Sequence, residues 1–160
     1  MRNKEVVRLF DLYANDVYRF ALSYLGSRQD AEDVVQDVYL KLLSKTLFLT
    51  RDREKAYLMK MTSNRCKDLL SSPARKACTD LDEIPEEPAV SCNFNEDDKV
   101  IYDMLMRMED TYRVPIYLYY FEDYSYKEIA KITALSESAV AMRIKRGKEQ
   151  LRERMGDQYE

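Results

Sequence analysis

Residues 124–155 read YSYKEIAKITALSESAVAMRIKRGKEQLRERM, and the pattern of this stretch decides the fold. Ser125 and Glu128 have capping-box spacing, which opens a helix over YKEIAKIT. After a turn at Ala134–Leu135, Ser136 can cap a last helix running to about Met155. Ile129, Ala130 and Ile132 form a bracing face on the first of these helices. On the second, Val140, Ile144, Gly147 and Leu151 fall on one side, at helical spacing. One helix bracing another across a tight turn is a helix-turn-helix, whose second helix can enter the major groove of DNA.

The other faces of that last helix carry Glu137, Ser138, Ala139, Met142, Arg143, Arg146 and Lys148. Small and polar groups near its start permit close approach to base edges. Arg143 and Arg146 are long enough to reach guanine edges or phosphates. Ser136 and Ser138, with the open N–H groups of the first turn, can hold a phosphate. The competing interpretation is a basic surface helix whose charges are absorbed in pairs such as Lys145–Glu149 and Glu149–Arg152.

Upstream, Val6, Leu9, Phe10, Tyr13, Val17, Phe20, Ala21 and Tyr24 make a helical stripe over Glu5–Leu25, with Gly26 as its stop. Ser27 and Asp30 cap a second helix. Its inward stripe is Ala31, Val34, Val35, Val38, Tyr39, Leu42 and Leu43, with Asp33, Gln36 and Asp37 on the other side. A third helix is expected over Arg53–Leu70, with Ala56, Leu58, Met61 and Leu69 inward, after a loop SKTLFLTRD. Beyond Ser71, three prolines and an acidic tract form a flexible linker. Helix resumes near Asn95 through Val100, Ile101, Met104, Leu105 and Met108. Pro115 is expected in the first turn of the helix that follows.

Charge placement says more than the net of −3. Residues 1–78 hold 15 Lys/Arg and 10 Asp/Glu, a balance of +5. Residues 80–98 hold 8 acidic residues and no basic one, and residues 125–155 hold 8 basic and 4 acidic. Two basic segments flanking an acidic connector are two candidate polyanion-binding faces. The 3 cysteines are far apart and His is absent, so a zinc site, a disulfide framework and His-based catalysis are not expected. No glycine-rich phosphate loop is present, and neither enzyme activity, cofactor nor metal is expected. With no apolar run of membrane-spanning length and no signal-peptide pattern at MRNKEVVRLF, the expected location is the cytosol.

QDAEDVVQDVYLKLL at 29–43, YLMKMTSNRCKDLL at 57–70 and YFEDYSYKEIAKITALSESAVAMRIKRGKEQLR at 120–152 resemble, in order, three motifs of the bacterial sigma-70 factors. The match is to their short extracytoplasmic-function (ECF) group. The resemblance implies an initiation factor that brings core RNA polymerase to promoters and helps melt the −10 region. Asp30, Glu32, Asp33, Gln36 and Asp37 would lie against the clamp of the largest polymerase subunit. Lys60, Asn64 and Lys67, which share a helical face, and Arg51 and Arg53, which flank the loop Ser44–Asp52, would hold the −10 DNA. Phe48 could offer that loop a stacking surface, and Tyr57 stands at an aromatic position of the family. The residues from Ser136 to Lys148 named above would read the −35 element. Further partners implied are the polymerase flap and an anti-sigma factor.

The sequence departs from the family at four places. Met108–Glu109 stand for Leu-Pro, Asp123 and Ala134 for glycines, and Pro115 for an aliphatic residue. Ala134 must therefore take a strained turn, or the turn must differ. The fold expected is all-α, two small helical domains joined by the acidic flexible linker. A polymerase- and −10-binding domain would cover 1–75, the linker 76–94, and a −35-binding helix-turn-helix domain 95–157. The alternatives are a free-standing helix-turn-helix regulator, which leaves the acidic helix at 30–37 unexplained, and a helical adaptor that never touches DNA.

Overall fold

The computed structural model describes residues 3–45, 49–72 and 96–159; the linker expected at 76–94, Phe48, Cys78 and Cys92 lie outside them. Among the described residues there are seven α-helices and no strand: α1 Asn3–Leu25, α2 Arg28–Leu43, α3 Glu54–Leu70, α4 Glu96–Met106, α5 Asp110–Tyr120, α6 Tyr126–Thr133 and α7 Glu137–Tyr159. The chain divides into two compact units, Met1–Val90 and Ser91–Glu160.

In the first unit α1, α2 and α3 pack on one another in all three pairings. Gly26 ends α1 at φ 74°, its N–H donating to Leu22 O at 2.8 Å, so the expected stop is a left-handed glycine cap. Ser27 then caps α2, its Oγ accepting from the Asp30 N–H at 3.4 Å. The core is built on Leu9, Val17, Phe20, Leu22, Leu42, Leu58 and Met59, all essentially inaccessible.

Several expectations about this core need correction. Leu43, grouped with the inward stripe, is 44% exposed, and Phe10 is exposed with its ring set edge-on to Tyr39. On α3, Ala56 and Leu69 are only half-buried, while Met59, Thr62, Ser63 and Cys66 are buried. A helix wedged between two others buries a broader arc than a single apolar stripe, so its small polar residues go inside as well. Thr62 meets that situation by donating to the Leu58 carbonyl at 2.7 Å.

In the second unit α4, α5 and α6 surround the first half of α7. Met104, Leu105, Met108, Ile116, Leu118, Ile129, Ile132, Val140 and Ile144 are buried, whereas Leu151, expected in this core, is half-buried. Pro115 is not in a first turn. It is the sixth residue of α5, whose N-cap is Glu109, and it is buried. Having no N–H, it leaves the Thr111 carbonyl without its helical donor, yet the helix runs on to Tyr120. Gly147 lies so close to α5 that an added Cβ would stand 2.2 Å from Ile116 Cδ1, which explains a glycine in the middle of a helix.

Candidate nucleic-acid and polymerase interfaces

The turn between α6 and α7 sets the angle at which α7 is presented. Ser125 caps α6, its Oγ accepting from the Glu128 N–H at 3.2 Å and donating to Glu128 Oε1 at 3.0 Å. Thr133 closes the far end, bonding back to the Ile129 carbonyl at 2.6 Å. Ala134 takes the left-handed conformation, φ 58° and ψ 37°, and its N–H and that of Leu135 both return to Ala130 O. The strained alanine turn is therefore the one adopted. Asp123, the other residue standing where the family has glycine, is left-handed as well, at φ 57°.

Ser136 begins α7 by accepting from the Ala139 N–H at 3.1 Å, with the Ser138 hydroxyl 3.2 Å away. Its Oγ is thus committed to the cap, while both hydroxyls stay exposed to solvent. At 100° per residue, Ala139, Met142, Arg143 and Arg146 share a sector of about 100°, with Ser138 at its edge. Met142 and Arg146 are exposed and Arg143 is half-buried. Neither arginine forms an ion pair among the described residues, and neither Lys145–Glu149 nor Glu149–Arg152 closes within 4 Å. The charges of this face are therefore not absorbed internally.

Glu137 and Lys148 are not brought together with that sector. They flank the buried stripe on its other side, about 160° or more from Arg146. The Lys148 ammonium sits over the Tyr119 ring at 5.2 Å, and that ring packs against Tyr126 at 5.3 Å. Sequence reasoning missed this brace because Tyr119 reaches Lys148 only through tertiary packing.

On α2, Glu32, Asp33 and Gln36 are exposed, and Asp30 and Asp37 are half-exposed. Asp37 is held by Arg65 of α3, whose Nε–H donates to Oδ2 at 2.7 Å. Leu40, 63% exposed, and Leu43 lie within about 40° of Gln36, so this acidic face has an apolar centre. The signal was available: Leu40 interrupts the polar side of α2.

On α3, Lys60 and Asn64 are exposed and Lys67 is half-buried, along one stripe. Arg53 is the exposed residue before α3 and carries no side-chain cap bond. Arg51 stands elsewhere, on a shallow basin against Lys4, Val7 and Leu12 of α1 that none of Lys60, Asn64 and Lys67 lines. In the same loop a hydrogen bond from the Thr50 side chain holds the exposed Asp52 carboxyl below its ordinary range, aided by the backbone. Tyr57, at the family's aromatic position, is half-buried, with Lys45 Nζ donating to its hydroxyl at 3.1 Å. Among the described residues no His/Cys/Asp/Glu group could hold a metal ion, and no helix is long and apolar enough to cross a membrane.

Two family models match the chain: "Sigma-70 region 2" over residues 9–76 and "Sigma-70, region 4" over residues 98–151. The chain belongs to the sigma-70 family, in its ECF group. This is a family of regulatory DNA-binding proteins rather than enzymes. Among its relatives, the chain is 28% identical to the ECF RNA polymerase sigma factor SigX of Bacillus subtilis, over 92% of this chain and 81% of that protein. It is 26% identical to SigM of the same organism, over 81% of this chain and 82% of that one. In fold it is similar to the sigma factor RpoE of Bartonella quintana, solved in complex with the anti-sigma factor NepR. That likeness has a TM-score of 0.71 at 21% identity and covers 94% of this chain and 96% of that one. It is similar too to CnrH, solved with the cytosolic domain of CnrY, with a TM-score of 0.67 at 20% identity and coverage of 98% and 90%. Of the alternatives, a free-standing regulator does not account for the region 2 match.

Proposed function

We propose that this ECF sigma factor divides promoter recognition between its two units, with the surfaces described above as its grips. The family-model matches to both regions support the first statement, that it directs core RNA polymerase to promoters and so initiates transcription. The polymerase- and −10-binding domain is assigned to residues 1–75, the linker to 76–94 and the −35-binding domain to 95–157.

The polymerase face is assigned to Asp30, Glu32, Asp33, Gln36 and Asp37 of α2, against the clamp. Leu40 and Leu43 supply the apolar contact that a purely charged surface lacks. Acidic groups give orientation and association rate, while desolvated apolar side chains give residence. The −10 DNA is assigned to Lys60, Asn64 and Lys67 with Arg53, and Arg51 approaches it from the α1 side. The −35 DNA is assigned to the sector Ser138, Ala139, Met142, Arg143 and Arg146, with Ser136 at its edge. Lys148 and Glu137, on the far side of the buried stripe, are left out of that surface.

The observation that carries the −35 assignment is the pair Arg143 and Arg146, without an ion pair among the described residues and on a side of α7 apart from its buried stripe. Replacing both by Ala should weaken binding of the polymerase–sigma complex to promoter duplex and lower its salt slope by about 2, one unit per phosphate-range contact. An unchanged slope and affinity would reject the assignment. An anti-sigma factor as further partner is supported by the two solved neighbours, each bound to such a protein or to a cytosolic domain. The flap of the polymerase is the partner assigned to the second unit, and the cytoplasm is the assigned location.

A further inference from the structure

We propose that Arg65 is a positioning residue that links polymerase docking to the −10 grip. Its Nε–H donates to Asp37 Oδ2 at 2.7 Å, and the two side chains are 40% and 41% exposed. The pair stands on the rim of a small cleft between α2 and α3, about 40 Å³, shared with Asn64 and with Lys41 and Asp68, which are opposite in charge. Among the described residues neither Arg65 nor Asp37 makes another ion pair or hydrogen bond, so each is the other's one charged partner there.

Asp37 belongs to the face assigned to polymerase, and Arg65 lines one cleft with Asn64, the residue of the DNA-assigned stripe nearest to it around α3. A half-exposed ion pair is weakly held and exchanges readily for a better partner. When a basic group of the polymerase takes the Asp37 carboxylate, the Arg65 guanidinium loses its counter-charge beside Asn64. Its positive charge is then available to a phosphate of the −10 strand where that strand passes Asn64. The linkage is reciprocal: a phosphate on Arg65 releases Asp37 for polymerase. Each binding event therefore favours the other by exchanging one shared ion pair. This inference rests on the placement of Asp37 on the polymerase face.

The test uses the full chain, core polymerase and a fork-junction DNA from a promoter mapped in reconstituted transcription with this chain. Affinity for core is measured with and without the DNA, and the ratio is the coupling factor. Arg65→Gln should lower that factor about two- to fivefold, the range expected for one half-exposed pair. It should also reduce the salt slope of DNA binding in the complex by about 0.7, the value for one single-strand phosphate contact. Without DNA, Arg65→Gln should bind core as tightly as wild type or more tightly, because Asp37 has lost its competitor. Arg65→Lys should retain most of the coupling. A purely structural bridge would instead weaken core binding in the absence of DNA, and that result overturns the proposal. So does a coupling factor left at the wild-type value. If Asp37→Asn leaves core affinity unchanged, the placement of Asp37 on the polymerase face fails, and the link fails with it.

Discussion

Arg8 of α1 grips the carboxylate of Glu54, the first residue of α3, through both terminal nitrogens of its guanidinium. Glu54 is 2% exposed, so this carboxylate depends on one arginine for its counter-charge. The pair pins the start of α3, directly after Arg51 and Arg53, to the first helix. Glu54 also stands at a helix N-terminus, where negative charge is favoured. Removing one partner of such a pair is worse than removing both, because it strands a buried charge. Arg8→Ala should therefore unfold the first unit at lower urea than the double variant Arg8→Met with Glu54→Leu. Equal midpoints, or a less stable double variant, would show that Glu54 is adequately solvated without Arg8.

The contact between Gly147 and Ile116 makes a second prediction with a built-in rescue. An Ala at 147 gains about 1 kcal/mol of helix propensity but drives its Cβ into Ile116 Cδ1. Ile116 is 4% exposed and has little room to give, and overpacking of this kind costs about 1–3 kcal/mol. Gly147→Ala should be net destabilising by up to about 2 kcal/mol. Adding Ile116→Val removes Cδ1 and should recover most of the loss, as read from chemical denaturation. No recovery would mean that backbone separation of α5 and α7, rather than that methyl group, sets the limit.

Ala134 should be improvable. Its left-handed backbone costs an alanine about 1 kcal/mol, against which a glycine loses part of its advantage through greater freedom in the unfolded chain. Ala134→Gly should stabilise the second unit by up to about 1 kcal/mol. Asp123→Gly should gain less, because Asp tolerates this region better. A loss of stability in Ala134→Gly, measured by the denaturation midpoint, would contradict the strained turn.

Alkaline pH should single out Tyr39. Its hydroxyl is buried and donates to the Leu9 carbonyl at 3.1 Å, and burial first, then the Asp16 charge, raises its pKa. A raised folded-state pKa gives stability that is complete below the unfolded phenol's value, about 10, and is lost as pH rises beyond it. The wild type should thus exceed Tyr39→Phe in stability at neutral pH, and that gap should close as pH rises above about 10. A gap that stays constant to about pH 11 would place the hydroxyl in water.

How far residues alone could lead differs between elements. The caps at Ser27, Ser125 and Ser136 were legible because capping is local, and each accepts from the N–H three residues on. The turn at Ala134 was legible as a problem, since a residue with a Cβ in a glycine-like place leaves few solutions. Burial on α3 was not legible, because it depends on two neighbouring helices covering Met59, Ser63 and Cys66. Leu43 and Lys148 were grouped by residue type rather than by angle, for at 100° per residue Leu43 falls beside Gln36 and Lys148 about 160° from Arg146. What Lys148 meets there, the Tyr119 ring, was not legible, because the two come together only through tertiary packing. Pro115 shows the same limit: nothing local announced that α5 begins five residues earlier.

Reconstituted transcription tests the central claim most directly. Core polymerase, genomic DNA and this chain would be combined, and transcript 5′ ends mapped with and without the chain. The account predicts discrete new start sites that share two upstream sequence elements. Replacing both Asp33 and Asp37 by Lys should abolish them, and Arg143→Ala with Arg146→Ala should weaken them strongly. Start sites identical with and without the chain would contradict it.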